Sequence, residues 1–314
     1  MASNMQEYAS AQAYKNTTPS VITIGTFDGV HIGHRAILKQ VVDAANANEL
    51  TSLLLTFFPH PRMVLQQGTD LKLINSLPEK KELLAQTGLE QLIIHPFTQA
   101  FSRMTAEAFV QELLVNRLHA KKVIIGYDHR FGRNRTANID DLRRFGTQFG
   151  FEVEEISAQE LDEVAVSSTK IRNALEVGDI TTANKYLGYP YMISGTVTKG
   201  REIGRTINFP TANLQPDASY KMIPKNGVYV VQANIDGHRV YGITSIGTNP
   251  TVGGRDRTIE TYFLEFSKDL YDQPLRIEFL THIRDEETFD TLALLKEAIA
   301  KDERFAKDYI ATYE

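Results

Sequence analysis

The first half of the sequence alternates short apolar runs with segments of helical periodicity, and this alternation restricts the fold more than any other feature. Between Ser20 and Tyr186, strand-like runs such as SVITI, TSLLLTF and KKVIIG are separated by helical patterns such as AILKQVVDAANA and PEKKELLAQ. Strands that are separated by helices usually pair in parallel, with the helices covering the sheet. We therefore expect an α/β domain with a doubly wound parallel sheet, whose ligands bind at the carboxyl ends of the strands.

The second half changes to strand-like runs without helices between them, such as MISGTVTKG, GVYVVQANI and IETYFLEF. Short strands that are separated by Gly, Asn, Asp and Pro are typical of an antiparallel barrel or sandwich. Residues 288–309 have helical apolar spacing and are expected to cover this sheet. The 314 residues are therefore predicted to form two domains, residues 1–187 and 188–314.

The composition argues against several classes of protein. The net charge is −5, so nucleic acid is not an expected partner, and the absence of cysteine rules out disulfides and thiolate metal sites. No apolar run approaches the ~18 residues of a membrane span, and the first residues lack the pattern of a signal peptide. We expect a cytoplasmic protein whose partners are small molecules and not a membrane. The oligomeric state is left open, with a homo-oligomer as one alternative.

The stretch GTFDGVHIGH, residues 25–34, joins the first predicted strand to a helix. Such a junction presents free backbone N–H groups and the positive end of a helix dipole, which favour phosphate. His31 and His34 are three residues apart, so both imidazoles can donate hydrogen bonds to phosphate from one side of the helix start. A pair of structural helix-cap histidines is the alternative. The predicted phosphate-binding residues of the turn are Gly25, Thr26, Phe27, Asp28, Gly29 and Gly33.

This stretch resembles the N-terminal motif of the nucleotidylyltransferase superfamily, in the version found in bacterial bifunctional riboflavin kinase/FAD synthetases. The segments FFPHPR (57–62), GYDHRFG (126–132) and SSTKIR (167–172) follow in that family's order, and GRTINFPTANL, NGVYVV, GITSIGTNPT and ETYFLEF are similar to its riboflavin kinase module. Several motifs in one order are more specific than any single motif. The family most often has Asn where Thr26 stands, an aromatic residue at His129 and Gly at Asn208.

For the first domain, the resemblance implies a Rossmann-like nucleotidylyltransferase fold that transfers AMP from ATP to FMN, giving FAD and pyrophosphate. His31, His34 and Arg172 would act on the leaving pyrophosphate, and Ser168 and Thr169 would add phosphate ligands. The alternative for SSTKIR is a helix N-cap beside a surface arginine.

Further residues of the first domain are expected to contact the adenosine or the flavin. Asp128 is predicted to bind ATP, and the predicted flavin contacts are His60, Pro61, Arg130 and Phe131. The alternatives are a solvated loop for residues 128–133 and a proline-stiffened turn for FFPHPR.

For the second domain, the resemblance implies phosphorylation of riboflavin to FMN with Mg²⁺ and ATP. The chain has no G-x-x-x-x-G-K-[ST] motif, so phosphate must be held differently. The predicted ATP-binding loop is SGTVTKGREIGRT, in particular Gly195, Lys199, Gly200 and Arg205; a tight hairpin is the alternative. Thr211 and Asn213 are two apart on a strand-like segment, so their oxygens share a face and suit Mg²⁺.

The resemblance also makes Glu260 the general base that takes the proton of the ribityl hydroxyl of riboflavin. The alternative for Glu260 is an exposed position on an antiparallel strand. Tyr229 and Phe263 are predicted to stack on the flavin, with packing in the core as the alternative. We expect a bifunctional enzyme of FAD biosynthesis; the other hypotheses are a single active module and a non-catalytic flavin-binding sensor.

Overall fold

The structure, a computed structural model, describes residues 5–66, 68–126, 129–156, 166–200, 209–248 and 257–313. The chain divides into two compact units. The first unit contains Met1–Leu71 and Leu77–Ser167, and the second contains Lys72–Ser76 and Ser168–Glu314. Residues 168–187 therefore pack with the second unit, whereas the boundary predicted from sequence motifs lies at 187/188 and stays a prediction.

The first unit is built on a parallel sheet with the strand order β1-β4-β3-β2-β5-β6. Its strands are β1 (Gln6–Tyr8), β2 (Ser20–Ile24), β3 (Thr51–Phe58), β4 (Gln91–Pro96), β5 (Ala120–Gly126) and β6 (Glu152–Ile156). After β2 the chain adds β3 and β4 on one side, and it later adds β5 and β6 on the other. The carboxyl end of β2 is thus the topological switch point, where ligands bind in sheets of this type.

Helices connect these strands, as the sequence predicted. They are α1 (Ile32–Ala47), α2 (Pro61–Leu65), α3 (Leu77–Ala85), α4 (Ala106–Ala108), which continues as a π-helical segment over Phe109–Val115, and α5 (Ile139–Phe149). Two 3₁₀ turns, Phe101–Arg103 and Arg133–Arg135, lie between them. The apolar face of α1 is buried because Val41 and Ala45 pack against Val21 and Ile124 of the sheet. The predicted α/β fold of the first domain is confirmed.

The second unit is a closed antiparallel barrel with the strand order β10-β11-β8-β7-β12-β9. Its strands are β7 (Tyr191–Thr198), β8 (Ala212–Pro216), β9 (Gly227–Ile235), β10 (His238–Thr248), β11 (Arg257–Phe263) and β12 (Pro274–Asp285). Pairing of β9 with β10 closes the ring, so that each of the six described strands has a neighbour on both sides. Of the two architectures that the sequence left open, the barrel is confirmed.

Three helices pack on this barrel: α6 (Ser168–Val177), α7 (Ile180–Leu187) and α8 (Leu292–Tyr313). The first two contribute Ile171 and Leu187 to the barrel core, whose largest fully buried side chains include Tyr191, Tyr229 and Phe279. The predicted C-terminal helix packs through Ala306. In the described ranges, no helix combines the length and the apolar character needed to cross a membrane.

Candidate functional sites

The turn between β2 and α1 has an unusual backbone. Phe27 and Val30 have positive φ angles of 48° and 37°, and Gly29 has a φ of 91° that glycine adopts without a side-chain penalty. Each of the two non-glycine residues costs roughly 1–3 kcal/mol of backbone strain. The backbone N–H of Gly25 bonds the Leu55 carbonyl at 3.1 Å, which ties the turn to β3. The segment that was predicted to bind phosphate, at the switch point of the sheet, therefore contains strained backbone.

The two histidines of the motif meet at the start of α1. His31 is the N-cap, and its Nδ1 accepts a hydrogen bond of 3.3 Å from the His34 N–H. The two rings stack with centroids 3.6 Å apart, and the ring of Phe27 lies 4.6 Å from that of His34. Gly33 leaves room for this stack, since a Cβ there would lie 3.3 Å from the His31 ring. The imidazoles lie together on one side of the helix start, as expected. Of the alternative, a pair of helix-cap histidines, the structure shows His31 alone as the N-cap of α1.

Burial keeps both imidazoles of this pair uncharged, so they would bind an anion as neutral N–H donors. Burial lowers the pKa of His31 to about 4. The pKa of His34 is well below its ordinary value, mainly because of burial and further because of His31 and Lys80. Within the described part of the chain, the buried Nδ1 of His34 has no hydrogen-bond partner. At neutral pH both rings are therefore uncharged, and a bound phosphate would raise both pKa values.

Sequence reasoning missed Lys80, which lies under the turn. Its Nζ donates to the Thr26 carbonyl at 2.6 Å and to Thr56 Oγ1 at 2.8 Å. Lys80 is buried, with only 8% of the residue's surface exposed. Burial lowers the Lys80 pKa to about 8, while the Asp28 carboxylate acts in the opposite direction. Helical spacing was the available signal, because Lys80 shares the buried face of α3 with Leu83 and Leu84.

A cluster of contacting aromatic rings lies at the carboxyl ends of β3 and β4. The Phe57 ring lies 5.8 Å from Phe97 and 5.6 Å from Phe101, and the Phe101 ring lies 4.7 Å from His95. Through Phe109 this cluster reaches Phe131, the predicted flavin contact. Phe57, Phe97 and Phe101 are half-buried, and such rings at the end of a sheet can take a planar aromatic ligand by edge or face contact, whereas Phe109 and Phe131 are buried in the core. Of these rings, the sequence had singled out Phe131 alone as a ligand contact.

Other predicted residues of the first domain have local structural roles. His60 is the N-cap of α2, where its Nδ1 accepts from the Arg62 N–H at 3.1 Å, and Pro61 is the first helical residue. This is the stiffened turn that the sequence offered as the alternative, and flavin contact stays a prediction. Arg130 is exposed. Asp128 lies outside the described residues.

The segment SSTKIR spans the boundary between the units: Ser167 is the last residue of the first unit, and residues 168–172 begin α6 in the second. Ser168 is half-buried and Thr169 is exposed. The Arg172 side chain donates through Nε to the Lys72 carbonyl at 3.1 Å, within that same unit. Contact of these three side chains with a triphosphate stays a prediction.

In the barrel, strand register brings several predicted kinase residues together. Glu260 on β11 stands opposite Asn213 on β8, and Thr211 Oγ1 donates to Glu260 Oε2 at 3.3 Å. A Cβ on Gly200 would lie 2.1 Å from the Asn213 side-chain nitrogen, so only glycine allows this approach. Burial alternates along β11 and places Glu260, which is half-buried, on the face opposite the core residue Ile259.

The same register adds polar residues that the sequence had not indicated. Ser245 on β10 is opposite Glu260, and Thr198 on β7 is opposite Asn213. Four neighbouring strands thus contribute one row of oxygen-bearing side chains. Residues that face each other directly across antiparallel strands point to the same side of the sheet, which is why the row lies on one face.

The donor set of this row fits Mg²⁺. Thr and Glu oxygens and the Asn carbonyl are the hard ligands that Mg²⁺ prefers, and it usually keeps waters and substrate phosphates as its other ligands. Among the described residues, no group of three or more His, Cys, Asp or Glu could hold a metal ion. A magnesium ion here would therefore depend on Thr211 and Asn213 together with the nucleotide.

The remaining predicted barrel residues divide between loop and core. Gly195 lies in β7 against the backbone of Gln215, Lys199 is exposed, and Arg205 and Asn208 lie outside the described residues.

Tyr229 is fully buried and Phe263 is 4% exposed. A ring enclosed on both faces by the core cannot stack on a flavin in this arrangement. The structure thus shows both rings packed in the core, which was the alternative prediction. It does not support their predicted flavin contact.

Comparison with known proteins matches two different families to two regions of the chain. The family model for FAD synthetase matches residues 13–170, and the family model for riboflavin kinase matches residues 187–310. A crystal structure of a macrolide-efflux protein from Streptococcus pneumoniae has a TM-score of 0.88 at 29% identity and covers 96% of this chain and 98% of its own.

Two relatives carry the name bifunctional riboflavin kinase/FMN adenylyltransferase. The protein from Listeria monocytogenes is 36% identical over 94% of this chain and 93% of its own length, and that from Escherichia coli K12 is 36% identical over 92% of both. The family inferred from the sequence motifs is therefore confirmed. This chain belongs to the bifunctional riboflavin kinase/FMN adenylyltransferases, with the FAD synthetase region in its N-terminal part and the riboflavin kinase region in its C-terminal part.

Proposed function

We propose that the strained turn before α1 is the ATP site of FMN adenylylation and that the polar row on β11 and β8 is the site of riboflavin phosphorylation. One observation carries this assignment: two separate constellations, each with the chemistry for one reaction, lie in the two regions matched by the two family models. A flavin sensor would need neither a phosphate site nor a carboxylate beside magnesium ligands.

In the adenylylation, a phosphate oxygen of FMN attacks the α-phosphorus of ATP, and pyrophosphate leaves with the electron pair of the broken P–O bond. The protein needs no covalent intermediate, since it acts by alignment and by stabilising the charge that grows on pyrophosphate. His31 and His34 serve as neutral N–H donors beside the N-terminus of α1. The half-buried rings of Phe57, Phe97 and Phe101 are the proposed surface for the isoalloxazine ring.

In the kinase reaction, the Glu260 carboxylate takes the proton of the terminal ribityl hydroxyl, whose oxygen attacks the γ-phosphorus of ATP while ADP leaves. Thr211 and Asn213 would hold Mg²⁺, which neutralises phosphate charge when it is bound. Gly200 allows the loop after β7 to approach Asn213 closely. The hydrogen bond from Thr211 orients the Glu260 carboxylate.

Several further assignments complete the proposal. Ser168, Thr169 and Arg172 would bind the phosphates of the adenylylation substrate, and Lys199 those of the kinase substrate. ATP, riboflavin and FMN are the small molecules that the chain binds, with no part for nucleic acid. Because both reactions consume ATP, we place the protein in the cytoplasm.

The test is a chromatographic time course of purified protein with riboflavin, ATP and Mg²⁺, repeated with FMN as the starting flavin. We expect FMN first and FAD later. Glu260→Gln should lower riboflavin phosphorylation by about 10²- to 10⁴-fold and leave FAD formation from supplied FMN unchanged. The matched control is Glu278→Gln, another strand glutamate of the barrel, which bonds Gln232 instead.

The outcomes separate the hypotheses. FMN that accumulates without FAD would show that only the kinase module is active. A Glu260→Gln variant that is folded and loses both activities would refute the division between the two sites. If neither flavin were converted although the protein bound it, the sensor hypothesis would replace the enzymatic one.

A further inference from the structure

Lys80 is a buried cation that donates hydrogen bonds to protein groups at the edge of the proposed adenylylation site. Its ammonium bonds the Thr26 carbonyl and the Thr56 hydroxyl, and the Thr56 hydroxyl itself donates to the same carbonyl at 3.2 Å. Thr56 is fully buried. Hydrogen bonds from a charged donor are roughly twice as strong as neutral ones. Lys80 thus joins three separate parts of the first unit: α3, β3 and the turn after β2.

The bonded carbonyl belongs to the residue just before the strained part of the turn. Phe27 follows with a φ of 48°, and strained backbone persists only where its surroundings hold it in place. The Phe27 ring in turn contacts His34, whose ring stacks on His31. A displaced Thr26 carbonyl would therefore shift the ring that supports the histidine pair.

We propose that Lys80 is a positioning residue for FMN adenylylation: its ammonium holds the Thr26 carbonyl and so keeps the turn and the histidine pair in the geometry that aligns ATP. The inference rests on the proposed function of this turn. Its charge also acts on the neighbouring groups, since Asp28 on the turn and His34 on α1 both interact with it electrostatically. The residue that faces it from β3, Thr56, is uncharged.

The test compares Lys80→Met with Lys81→Met in the full chain. Lys81 is the next residue of the same helix and forms a half-exposed ion pair with Glu7, so it is a matched control. With FMN and ATP as substrates, Lys80→Met should lower kcat by about 10- to 100-fold and change either KM by less than about threefold. Lys81→Met should behave as the wild type. Riboflavin kinase activity of each variant reports whether the preparation is intact.

The pH dependence of kcat for FAD formation gives a second readout. A purely structural role of Lys80 would not change the shape of this profile. Burial lowers the pKa of Lys80 to about 8, so the charge-assisted bonds weaken as the pH rises through that value. Wild-type kcat for FAD formation should fall on the alkaline side with this apparent pKa, and the fall should be absent from Lys80→Met.

Each result decides the inference. An equally active Lys80→Met variant would refute it while leaving the proposed function intact, and so would a rise in KM at unchanged kcat, which indicates direct ligand contact. Wild-type protein that makes no FAD from FMN would refute the proposed function, and the role of Lys80 with it. If Lys80→Met does not fold, Thr56→Val decides: a loss of at least about fivefold in kcat supports the inference, and an unchanged kcat refutes it.

Discussion

Acidification should destabilise the first unit through His31, because the folded protein resists protonating this side chain. The ring is buried, with 6% of its surface exposed, and its Nδ1 accepts the bond that caps α1. Protonation would charge a buried group and turn this acceptor into a donor. Burial lowers the His31 pKa from 6.5 to about 4, so the folded state binds fewer protons than the unfolded state.

The sign and size follow from this pKa difference. The contribution of His31 to stability is fully present above pH 6.5, where the ring is neutral in both states, and it is lost as the pH falls from 6.5 towards about 4. Between about pH 7.5 and about pH 5, linkage predicts a loss of about 2 kcal/mol from His31 alone. His34, whose pKa is lowered as well, should add to this loss.

The assay is urea denaturation at the two pH values, followed by NMR signals of the Ile22 and Ile24 methyl groups, which lie in β2 and report on the first unit alone. The perturbation is His31→Asn, because asparagine is a strong N-cap that does not titrate. This variant should lose about 2 kcal/mol less than the wild type on acidification. The control, Thr105→Asn, exchanges the N-cap of α4 and should keep the wild-type pH dependence.

The reasoning would be refuted if His31→Asn and the wild type lost the same stability between these pH values. Direct NMR titration of the His31 ring provides an independent check. A midpoint near 6.5 in the folded protein would show that burial does not disfavour the charged ring as described here.

Three further predictions concern the barrel unit. Gly200→Ala should lower riboflavin kinase activity by about 10- to 100-fold in steady-state assays and leave FAD formation from FMN unchanged, because the new Cβ displaces the Asn213 amide; full kinase activity would contradict the proposed site. Asp302→Ala should destabilise the barrel by about 3 kcal/mol in urea denaturation, since it removes the buried carboxylate that accepts two hydrogen bonds from the Arg284 guanidinium. Lys301→Ala, which breaks an exposed pair on the same helix, should change stability by less than about 0.5 kcal/mol, and equal effects would contradict this assignment. Chelation of Mg²⁺ should abolish phosphorylation of riboflavin, and residual turnover without the metal would refute its proposed role.

Local patterns predicted the elements of the fold and part of each site. Strand-like runs marked β2 to β6, and the turn after β2 was predicted to bind phosphate because a strand, glycines and a helix start follow each other in the chain. Thr211 and Asn213 were paired as predicted magnesium ligands because residues two apart on a strand-like segment share a face; both lie beside Glu260, and their metal role stays a prediction. These inferences need only spacing within a few residues, which the sequence states directly.

Long-range pairing decided the rest. Lys80 meets the Thr26 carbonyl across 54 positions of the chain, and Thr211 meets Glu260 across 49. Helical spacing places Lys80 on one face with Leu83 and Leu84, but nothing in the local pattern says which strand α3 will cover or which carbonyl the ammonium will meet. In the barrel, a shift of one residue between β8 and β11 would turn Glu260 away from Asn213.

By itself, the sequence determined the alternation of strands and helices, the glycine-containing turn between β2 and α1 and the family, because each depends on residues that are close in the chain or on motifs in a given order. Only the tertiary structure decided which side chains meet: the stacked His31 and His34 with Lys80 beneath their turn, the polar row around Glu260, and the burial of Tyr229 in the core. The physical reason is that contact, burial and the resulting pKa values depend on strand order and register, which are set by packing over the whole unit.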